Sequence, residues 1–276
     1  MELYDGHLHT KYSIDSTASL DEMCNSAIER GILGIAITDH NIPFPDGFAH
    51  YENIRRSVQK ARQKDEEFAG RLRVFAGVEL GDHFIFEYDA EPFYHMDLDC
   101  ILGSIHSTPV FKKYFPDCPY GSDLKEVVYQ ADADFLKRFL EVYYQELLKV
   151  SEEADVDVMT HLTFPLRYMN GLANRNIDIR EYDAQIDAIL GAIIKTNKVL
   201  EVNTSGLSMD WHQLMPNEDI LARYFQMGGR SISFGSDAHK AENVGVGIPE
   251  AMTKLKKLGF THGTYFVKRK RFLYTL

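Results

Sequence analysis

The sequence predicts an α/β fold in which a closed barrel of seven or eight parallel strands is covered by helices. Short apolar runs alternate with segments of helical periodicity along the whole chain, as in parallel sheets whose strands are buried on both faces. No Gly-x-Gly-x-x-Gly motif follows the first strand, which argues against an open dinucleotide-binding sheet. Polar residues follow nearly every apolar run, and a barrel gathers such strand ends into one ring, whereas an open sheet spreads them along a line.

The elements of the N-terminal half are the clearest. A short apolar stretch before Asp5 is the first strand, and the next helix has Ser19 as its predicted cap and Gly31 as its end. The apolar face of that helix is formed by Leu20, Met23, Cys24, Ala27 and Ile28. Further strands are predicted at 33–38, 72–78 and 100–105, with a helix through Ile54, Val58 and Ala61.

The C-terminal half continues the alternation. A loop over 108–122 is rich in Pro, Gly and aromatic residues, and the helical stretch 124–154 that follows is predicted to divide near Asp132. Strands are predicted at 156–160, 199–202, 231–234 and 264–267, and helices near 186–194, 220–227 and 249–258. No linker-like stretch divides the chain, so we expect one domain over residues 1–276.

Composition excludes several classes of function. With 45% hydrophobic and 26% charged residues, the chain is typical of a folded soluble protein, and it contains no apolar stretch long enough to span a bilayer. The net charge of -11 argues against broad binding to nucleic acid or anionic membranes. The basic cluster 268–271 is interpreted as a solvated or subunit-contacting tail rather than a targeting or nucleic-acid patch.

The cysteines and the N-terminus predict a cytoplasmic location. Cys24, Cys100 and Cys118 are odd in number and have no Cys-x-x-Cys spacing, which indicates free thiols in a reducing compartment. The chain lacks the basic segment followed by an apolar one that is typical of a secretory signal, so nothing suggests secretion.

Histidines and carboxylates follow the predicted strands in an ordered series. His7 and His9 lie two residues apart, so on an extended backbone both imidazoles point to the same side. Together with the strand-end residues further along, the candidate metal ligands are His7, His9, Asp15, His40, Glu79, His106, His161, Asp237 and His239. A single such histidine is more often a hydrogen-bonded or surface imidazole, but a ring of six without a cation is costly.

This ligand set predicts two or three divalent transition-metal ions. Nine ligands exceed the four or five that one zinc-like ion takes. Imidazole and carboxylate without thiolate suit zinc, iron or manganese alike. A carboxylate such as Glu79 can bridge two ions, and such a pair generates a nucleophilic hydroxide near neutral pH.

Five motifs together resemble the polymerase and histidinol phosphatase (PHP) family. They are Asp5-Gly6-His7-Leu8-His9-Thr10, Thr38-Asp39-His40, Gly77-Val78-Glu79, Gly103-Ser104-Ile105-His106 and Gly235-Ser236-Asp237-Ala238-His239. The resemblance covers residues 3 to 266, and the segments 12–16 and 263–266 are similar to its histidinol-phosphatase branch. It implies a distorted (β/α)7 barrel with a trinuclear centre.

By the same resemblance, each ion has its own ligands. The implied sets are His7, His9, Glu79 and Asp237 for the first ion, Glu79, His106 and His161 for the second, and Asp15, His40 and His239 for the third. The chain departs from the family at two positions. Asp15 stands where some relatives have His, and Thr163 stands where many have an acidic residue two places after the histidine corresponding to His161.

The implied activity is hydrolysis of L-histidinol phosphate, a small phosphomonoester, to L-histidinol and phosphate. Arg167 is the predicted phosphate clamp, with Lys11 second, and pairing with a surface carboxylate is the alternative for either side chain. Asn203 and Ser205 are candidate substrate-binding residues or simply a turn. Asp237 or His239 is the candidate general acid, with water as the alternative.

Three further questions stay open at this point. The first is the substrate, because a nucleotide, a sugar phosphate or phosphotyrosine would need only different pocket walls. The second is whether the barrel binds metal as a regulatory module without turnover. The third is assembly, because a homo-oligomer is compatible with this composition. Phe44, Tyr168 and Trp211 are candidate pocket walls, although packing roles are commoner for single aromatic residues.

Overall fold

Parallel strands form the centre of the molecule. The computed structural model describes residues 2–41, 49–86, 88–115 and 124–276. The parallel strands are β1 (Tyr4–Leu8), β2 (Gly34–Ile37), β3 (His40–Asn41), β4 (Arg73–Gly81), β5 (Cys100–Ser104), β6 (Val158–Met159), β7 (Val199–Asn203) and β8 (Ile232–Gly235). Their order in the sheet is β1-β2-β4-β5-β6-β7-β8, and the short β3 also pairs with β4. The predicted α/β class is confirmed.

The barrel is nearly closed, and its closure lies at the carboxyl ends of the strands. The N–H of His9 donates to the carbonyl of Ala238 at 3.0 Å, and the N–H of Asp237 donates to the carbonyl of His7 at 2.9 Å. Among the described residues these contacts form a single parallel bridge rather than a full ladder between β1 and β8. The barrel is therefore distorted, with seven strands on its main path, as the resemblance implied.

Helices cover the outer face of the barrel. They are α1 (Leu20–Glu29), α2 (Ala49–Glu67), α3 (His83–Phe86), α4 (Glu91–Tyr94), α5 (Val110–Tyr114), α6 (Leu124–Val127), α7 (Ala133–Glu153), α8 (Phe164–Met169), α9 (Asp183–Lys195), α10 (Glu218–Gln226) and α11 (Ile248–Leu258). Short 3-10 turns occur at Ile179–Tyr182, Ser205–Ser208 and Ala241–Asn243. In the part of the chain that the structure describes, every helix is too short or too polar to cross a membrane.

Local capping signals explain two helix boundaries that the sequence predicts. Ser19 caps α1, because its hydroxyl accepts the N–H of Glu22 while the carboxylate of Glu22 accepts the N–H of Ser19. Asp132 caps α7 by accepting the N–H of Phe135 at 2.8 Å. The predicted division of 124–154 into two helices is therefore confirmed.

A C-terminal hairpin closes the opposite end of the barrel. Strands β9 (His262–Val267) and β10 (Lys270–Thr275) pair antiparallel. Phe266 packs among apolar side chains inside the amino-terminal end of the barrel, and the ring of Tyr265 stacks on that of Tyr4 at 4.6 Å between centroids. The strand predicted at 264–267 is confirmed, whereas β10 was not predicted.

The basic cluster 268–271 forms the turn of this hairpin and the first residues of β10, so its interpretation as a solvated or subunit-contacting tail is wrong for its arginines. Arg269 donates to both carboxylate oxygens of Asp155 at 2.9 Å and to Asp157 at 2.9 Å. Arg271 donates to Ser231 at 2.9 Å. The sequence pattern hides these contacts because the acidic partners lie more than a hundred positions away.

Replacing Arg269 by Ala is expected to lower the free energy of unfolding by about 1–3 kcal/mol. The change leaves the carboxylate of Asp157, whose side chain is only 12% exposed, without its arginine partner. Urea denaturation measures the effect, with Lys270→Ala as the matched control because Lys270 is exposed on β10. Equal losses in the two variants would contradict a structural role for the Arg269 ion pairs.

Candidate metal centre

The structure brings all nine predicted ligands together at the carboxyl ends of the strands. His7 lies on β1 with His9 just beyond it, and β3 pairs with β4 so that His40 is directly opposite Glu79. The segments that follow β5, β6 and β8 carry His106, His161, Asp237 and His239, and the loop after β1 carries Asp15. All nine surround one point because the barrel ends converge there.

Glu79 is the centre of the cluster, and its two carboxylate oxygens face different histidines. Oε2 lies 3.1 Å from Nε2 of His7 and 3.4 Å from Nε2 of His9. Oε1 lies 3.0 Å from Nε2 of His161 and 3.4 Å from Nε2 of His106. Oε2 also lies 2.9 Å from Nδ1 of His40, which belongs to the third implied set, so Glu79 contacts members of all three sets.

Asp237 joins the cluster to an arginine. Its Oδ1 lies 3.3 Å from Nε2 of His9, and its Oδ2 accepts from Nη1 of Arg167 at 3.1 Å. The backbone of Asp237 has φ 53, in the left-handed region that costs a non-glycine residue conformational energy. This conformation holds the carboxylate between the histidines and the arginine.

The third implied ligand set lies at the rim. Oδ2 of Asp15 is 3.0 Å from Nε2 of His239 and 3.5 Å from Nε2 of His40. The side chain of Asp15 is 46% exposed, whereas that of Glu79 is fully buried. Solvent therefore reaches Asp15 and His239, whose side chain is 27% exposed, whereas His40 of the same set is only 6% exposed.

The geometry of the cluster suits bound cations. Four trios have ligand atoms within 4.8 Å of one another, namely His7-Glu79-His161, His7-His9-Asp237, His40-Glu79-His106 and His9-His40-His239. Nε2 of His9 is buried and has no well-aligned hydrogen-bond partner among the described residues, although carboxylate oxygens lie close by. An unshared nitrogen lone pair in a ring of carboxylates is the donor chemistry that zinc-like ions take.

Electrostatics prepare the carboxylates as ligands. Burial raises the pKa of Glu79, but the imidazoles of His40, His7 and His106 outweigh it and hold that pKa well below its usual value. Burial likewise raises the pKa of Asp237, but the close contact with His9 and the positive groups nearby, including Arg167, outweigh it and lower that pKa well below normal. Both carboxylates are therefore ionised at neutral pH.

Two histidines of the cluster have pKa values that are shifted in opposite directions. Burial and the neighbouring imidazoles of His40 and His239 lower the pKa of His9 well below its usual value, so His9 is neutral and free to donate its lone pair. Burial also lowers the pKa of His7, but the carboxylates of Glu201 and Glu79 outweigh it and raise that pKa. The centre of the cluster thus attracts positive charge.

Four buried carboxylates that the sequence did not single out support the ligand loops. Asp5 accepts hydrogen bonds from the backbone N–H and the hydroxyl of Ser236, and Asp39 accepts from Thr10, Ser13 and Ser57. Asp82 accepts the backbone N–H groups of His106 and Ser107. Glu201 contacts His7 and His161. The available signal was a single acidic residue within or next to an apolar strand, as in Val199–Asn203. That signal has no fixed spacing.

The predicted phosphate clamp lies beside the cluster. Arg167 on α8 is partly buried, with a side chain 14% exposed, and its Nη1 donates to Ser205 Oγ at 3.0 Å and its Nη2 to Tyr168 Oη at 2.9 Å. Ser205 in turn donates to Oδ1 of Asn203 at 2.7 Å. The structure thus unites the predicted substrate-binding residues Arg167, Asn203 and Ser205 next to Asp237.

Lys11 is not joined to this group by any contact in the described part of the chain. Its side chain is exposed, and its ammonium lies 5.9 Å from the ring centroid of Tyr12. Of the candidate pocket walls, Tyr168 supports Arg167, while Phe44 lies outside the described residues. Cys118 also lies outside them, whereas Cys24 and Cys100 are buried free thiols.

The histidines without a predicted ligand role make ordinary contacts where the structure describes them. His95 pairs with Glu91 on the surface, His212 contacts the carbonyl of Leu207, and His262 contacts Thr261. The side chains of His50 and His83 lie outside the described residues. Six of the eleven histidines thus belong to the cluster.

Comparison with known proteins gives matches over most of the chain. The PHP domain model matches residues 5–205, a segment that contains seven of the nine predicted ligands and ends before Asp237 and His239. A probable histidinol-phosphatase of Thermotoga maritima is 28% identical over 262 residues, covering 94% of each chain. The histidinol-phosphatase of Lactococcus lactis is 26% identical over 261 residues, covering 94% of this chain and 93% of that protein.

A solved structure has the same fold. The crystal structure of histidinol phosphate phosphatase from Lactococcus lactis, in complex with zinc, L-histidinol and phosphate, superimposes with a TM-score of 0.78 at 24% identity. The match covers 98% of this chain and 99% of that one. This likeness establishes the fold of the whole chain, including the C-terminal part beyond the PHP domain model.

Proposed function

The chain belongs to the PHP domain family, and we propose that it is a metal-dependent phosphomonoesterase that hydrolyses L-histidinol phosphate to L-histidinol and phosphate. The observation that carries this proposal is the ring of nine imidazole and carboxylate ligands centred on Glu79, with Arg167 beside it. The histidinol-phosphatase names of relatives matched over nearly the whole chain support the choice of substrate.

The ligand atoms support two or three divalent ions, of zinc, iron or manganese. The first would be held by His7, His9, Glu79 and Asp237, the second by Glu79, His106 and His161, and the third by Asp15, His40 and His239. When bound, such ions supply Lewis-acid charge and make water nucleophilic near neutral pH. Zinc is the first choice because a related structure contains it.

The side chains beside the cluster bind and orient the substrate. Arg167 offers a planar guanidinium to the phosphoryl oxygens, and its Nε is buried without a hydrogen-bond partner among the described residues. Ser205 and Tyr168 hold the guanidinium in place, and Asn203 holds Ser205. Lys11, which lacks contacts to this group, is the weaker candidate for phosphate binding.

The proton for the leaving alkoxide has two candidate donors in the chain. Asp237 and His239 are the predicted general acids, with water as the alternative, and His239 or water is the better donor because the ionised Asp237 carries no proton at neutral pH. Asp237 lies between His9 and Arg167, and Nδ1 of His239 lies 2.9 Å from the carbonyl oxygen of Asp237. Both candidate acids therefore lie where the metal cluster meets the phosphate-binding arginine. The P–O bond breaks as the leaving oxygen receives that proton and becomes the hydroxyl of L-histidinol.

The proposal is tested by phosphate release from a panel of substrates. The zinc-loaded protein is incubated with L-histidinol phosphate, a nucleoside monophosphate, a cyclic nucleotide and phosphotyrosine. We expect kcat/KM for L-histidinol phosphate to exceed that for the others by about 10²-fold or more, because the pocket must pair the polar groups of its own substrate. Treatment with a chelator is expected to abolish release, and zinc to restore it.

Two outcomes would contradict the proposal. Equal, slow rates on all four compounds would contradict the choice of substrate and favour another phosphomonoester, as the name probable phosphatase of a Shewanella sediminis relative allows. No release at full zinc occupancy would favour a regulatory metal-binding module. Either result leaves the family assignment unchanged.

Location and assembly stay predictions. Buried, unpaired Cys24 and Cys100 support the cytoplasm. The packing of the hairpin into the barrel supports one domain over residues 1–276. The small-molecule substrate and the acidic charge support the prediction of no nucleic-acid or membrane partner, and a homo-oligomer remains open.

A further inference from the structure

Glu201 is a charged residue in the interior of an otherwise apolar strand. It lies on β7, and its side chain is only 2% exposed. A buried carboxylate is costly unless its oxygens are paired, so its partners indicate why this position holds Glu. The three partners come from three parts of the barrel, namely β1, the segment after β6, and β7 itself.

The two carboxylate oxygens of Glu201 contact different residues. Oε1 lies 2.6 Å from Nδ1 of His7. Oε2 accepts the backbone N–H of His161 at 2.7 Å and the side-chain amide of Asn203 at 3.2 Å. The carboxylate therefore links two of the proposed metal ligands, one through its ring and the other through its backbone.

The barrel leaves space for this carboxylate. A Cβ at Gly235 would lie 2.3 Å from Oε1 of Glu201 and 2.6 Å from Cβ of His7. Any larger residue at 235 would displace the Glu201 to His7 contact. The glycine on β8 thus permits the close approach.

We propose that Glu201 is a positioning residue that selects the metal-binding tautomer of His7, an inference that rests on the metal sites of the proposed function. An ionised carboxylate only accepts hydrogen bonds, so the proton of the His7 ring is held on Nδ1. In the neutral ring Nε2 then keeps its lone pair, and it points at the cluster, 3.1 Å from Glu79. Such outer carboxylates fix the orientation and tautomer of metal-binding histidines.

Glutamine at position 201 would reverse this selection. Its single acceptor oxygen keeps the most bonds when it faces the N–H of His161 and the amide of Asn203. The amide NH2 then faces Nδ1 of His7, which must become an acceptor. The ring proton moves to Nε2, where it blocks metal binding.

The test compares zinc binding by full-length wild type, E201Q and E201D. Zinc per chain is measured after desalting, and zinc affinity by competition with a chelator. We expect E201Q to bind zinc at the His7 site about 10- to 100-fold more weakly. E201D keeps a carboxylate that only accepts, so its loss should be smaller. Two-bond ¹H–¹⁵N spectra of the zinc-free proteins, recorded at a pH where the His7 ring is neutral, report its tautomer, which should change in E201Q alone.

A matched control is available at the other end of the barrel. Asp99 is also a fully buried carboxylate that accepts backbone N–H groups, from Ala76 and Lys268. D99N removes the same charge from a buried site and should leave the zinc affinity and the His7 tautomer unchanged. A loss of zinc in D99N equal to that in E201Q would attribute the effect to general destabilisation and overturn the proposal.

Other outcomes are equally decisive. Wild-type zinc affinity in E201Q, or equal losses in E201Q and E201D with one tautomer throughout, would overturn the role of Glu201. If E201Q does not fold by circular dichroism, an altered His7 tautomer in E201D would overturn it instead. Zinc binding without phosphate release in wild type would refute the proposed activity while leaving the comparison of E201Q with wild type intact.

Discussion

Glu79→Gln is expected to reduce kcat for the phosphomonoester by about 10³-fold or more. The carboxylate oxygens of Glu79 contact four histidines from the implied first and second sets, and Nδ1 of His40 lies 2.9 Å from Oε2. The amide keeps the size of the side chain but removes its charge and one acceptor oxygen. Neither ion would then have its shared anionic ligand.

Steady-state phosphate release and zinc content measure this effect. Asp99→Asn serves as the matched control, because it neutralises a buried carboxylate far from the proposed sites and should keep wild-type kcat. Circular dichroism establishes that E79Q is folded. Retention of more than about a tenth of wild-type kcat, a change of under 1.4 kcal/mol, would be incompatible with a central role for Glu79.

Arg167→Lys is expected to lower kcat/KM by about 10²- to 10³-fold while zinc content stays at the wild-type level. The guanidinium donates to Asp237, Ser205 and Tyr168 from fixed positions. A lysine ammonium keeps the charge but not the planar fork, so it cannot reproduce bidentate binding of a phosphoryl group. The loss should appear in kcat as well as KM, because the charge on those oxygens is held in the transition state.

Arg62→Lys is the matched control for this substitution. Arg62 pairs with the buried Asp99 at 2.6 Å, away from the cluster, so the same change there should cost stability and leave kcat/KM unaltered. If R167K retains wild-type kcat/KM, Arg167 is only the ion-pair partner of Asp237, which was the alternative interpretation from the sequence. Loss of zinc from R167K would indicate disturbance of Asp237 instead.

Most of the strand and helix pattern was predictable, because its signals are local. A strand buried on both faces needs a run of apolar residues, and Gly34–Ile37 and Ile232–Gly235 are such runs. The caps at Ser19 and Asp132 also depend on residues only three positions away. Strand β10 escaped prediction because it begins in a basic cluster whose partners are distant in sequence: Arg269 in the turn pairs with Asp155 and Asp157, and Arg271 on the strand donates to Ser231.

The residues around the predicted ligands were harder to find for the same reason. Glu201 and Asp39 each contact groups far away in the chain, and neither contact has a characteristic spacing. Lys11 is the converse case, because it is close to His9 in sequence but no described contact joins it to Arg167, and its role in phosphate binding stays a prediction. Where several barrel loops meet, the distance between two residues along the chain does not predict whether they are in contact.

The barrel class, the family and the residue types of the candidate ligands could be predicted from the amino-acid sequence, because alternating apolar runs with polar ends are local properties of the chain. How those ligands share their contacts depends on the three-dimensional fold. The fold brings Oε1 of Glu79 close to His106 and His161 and Oε2 close to His7 and His9. It also places Glu201 within hydrogen-bond distance of Nδ1 of His7. These arrangements depend on barrel closure, which brings distant strand ends within hydrogen-bond distance.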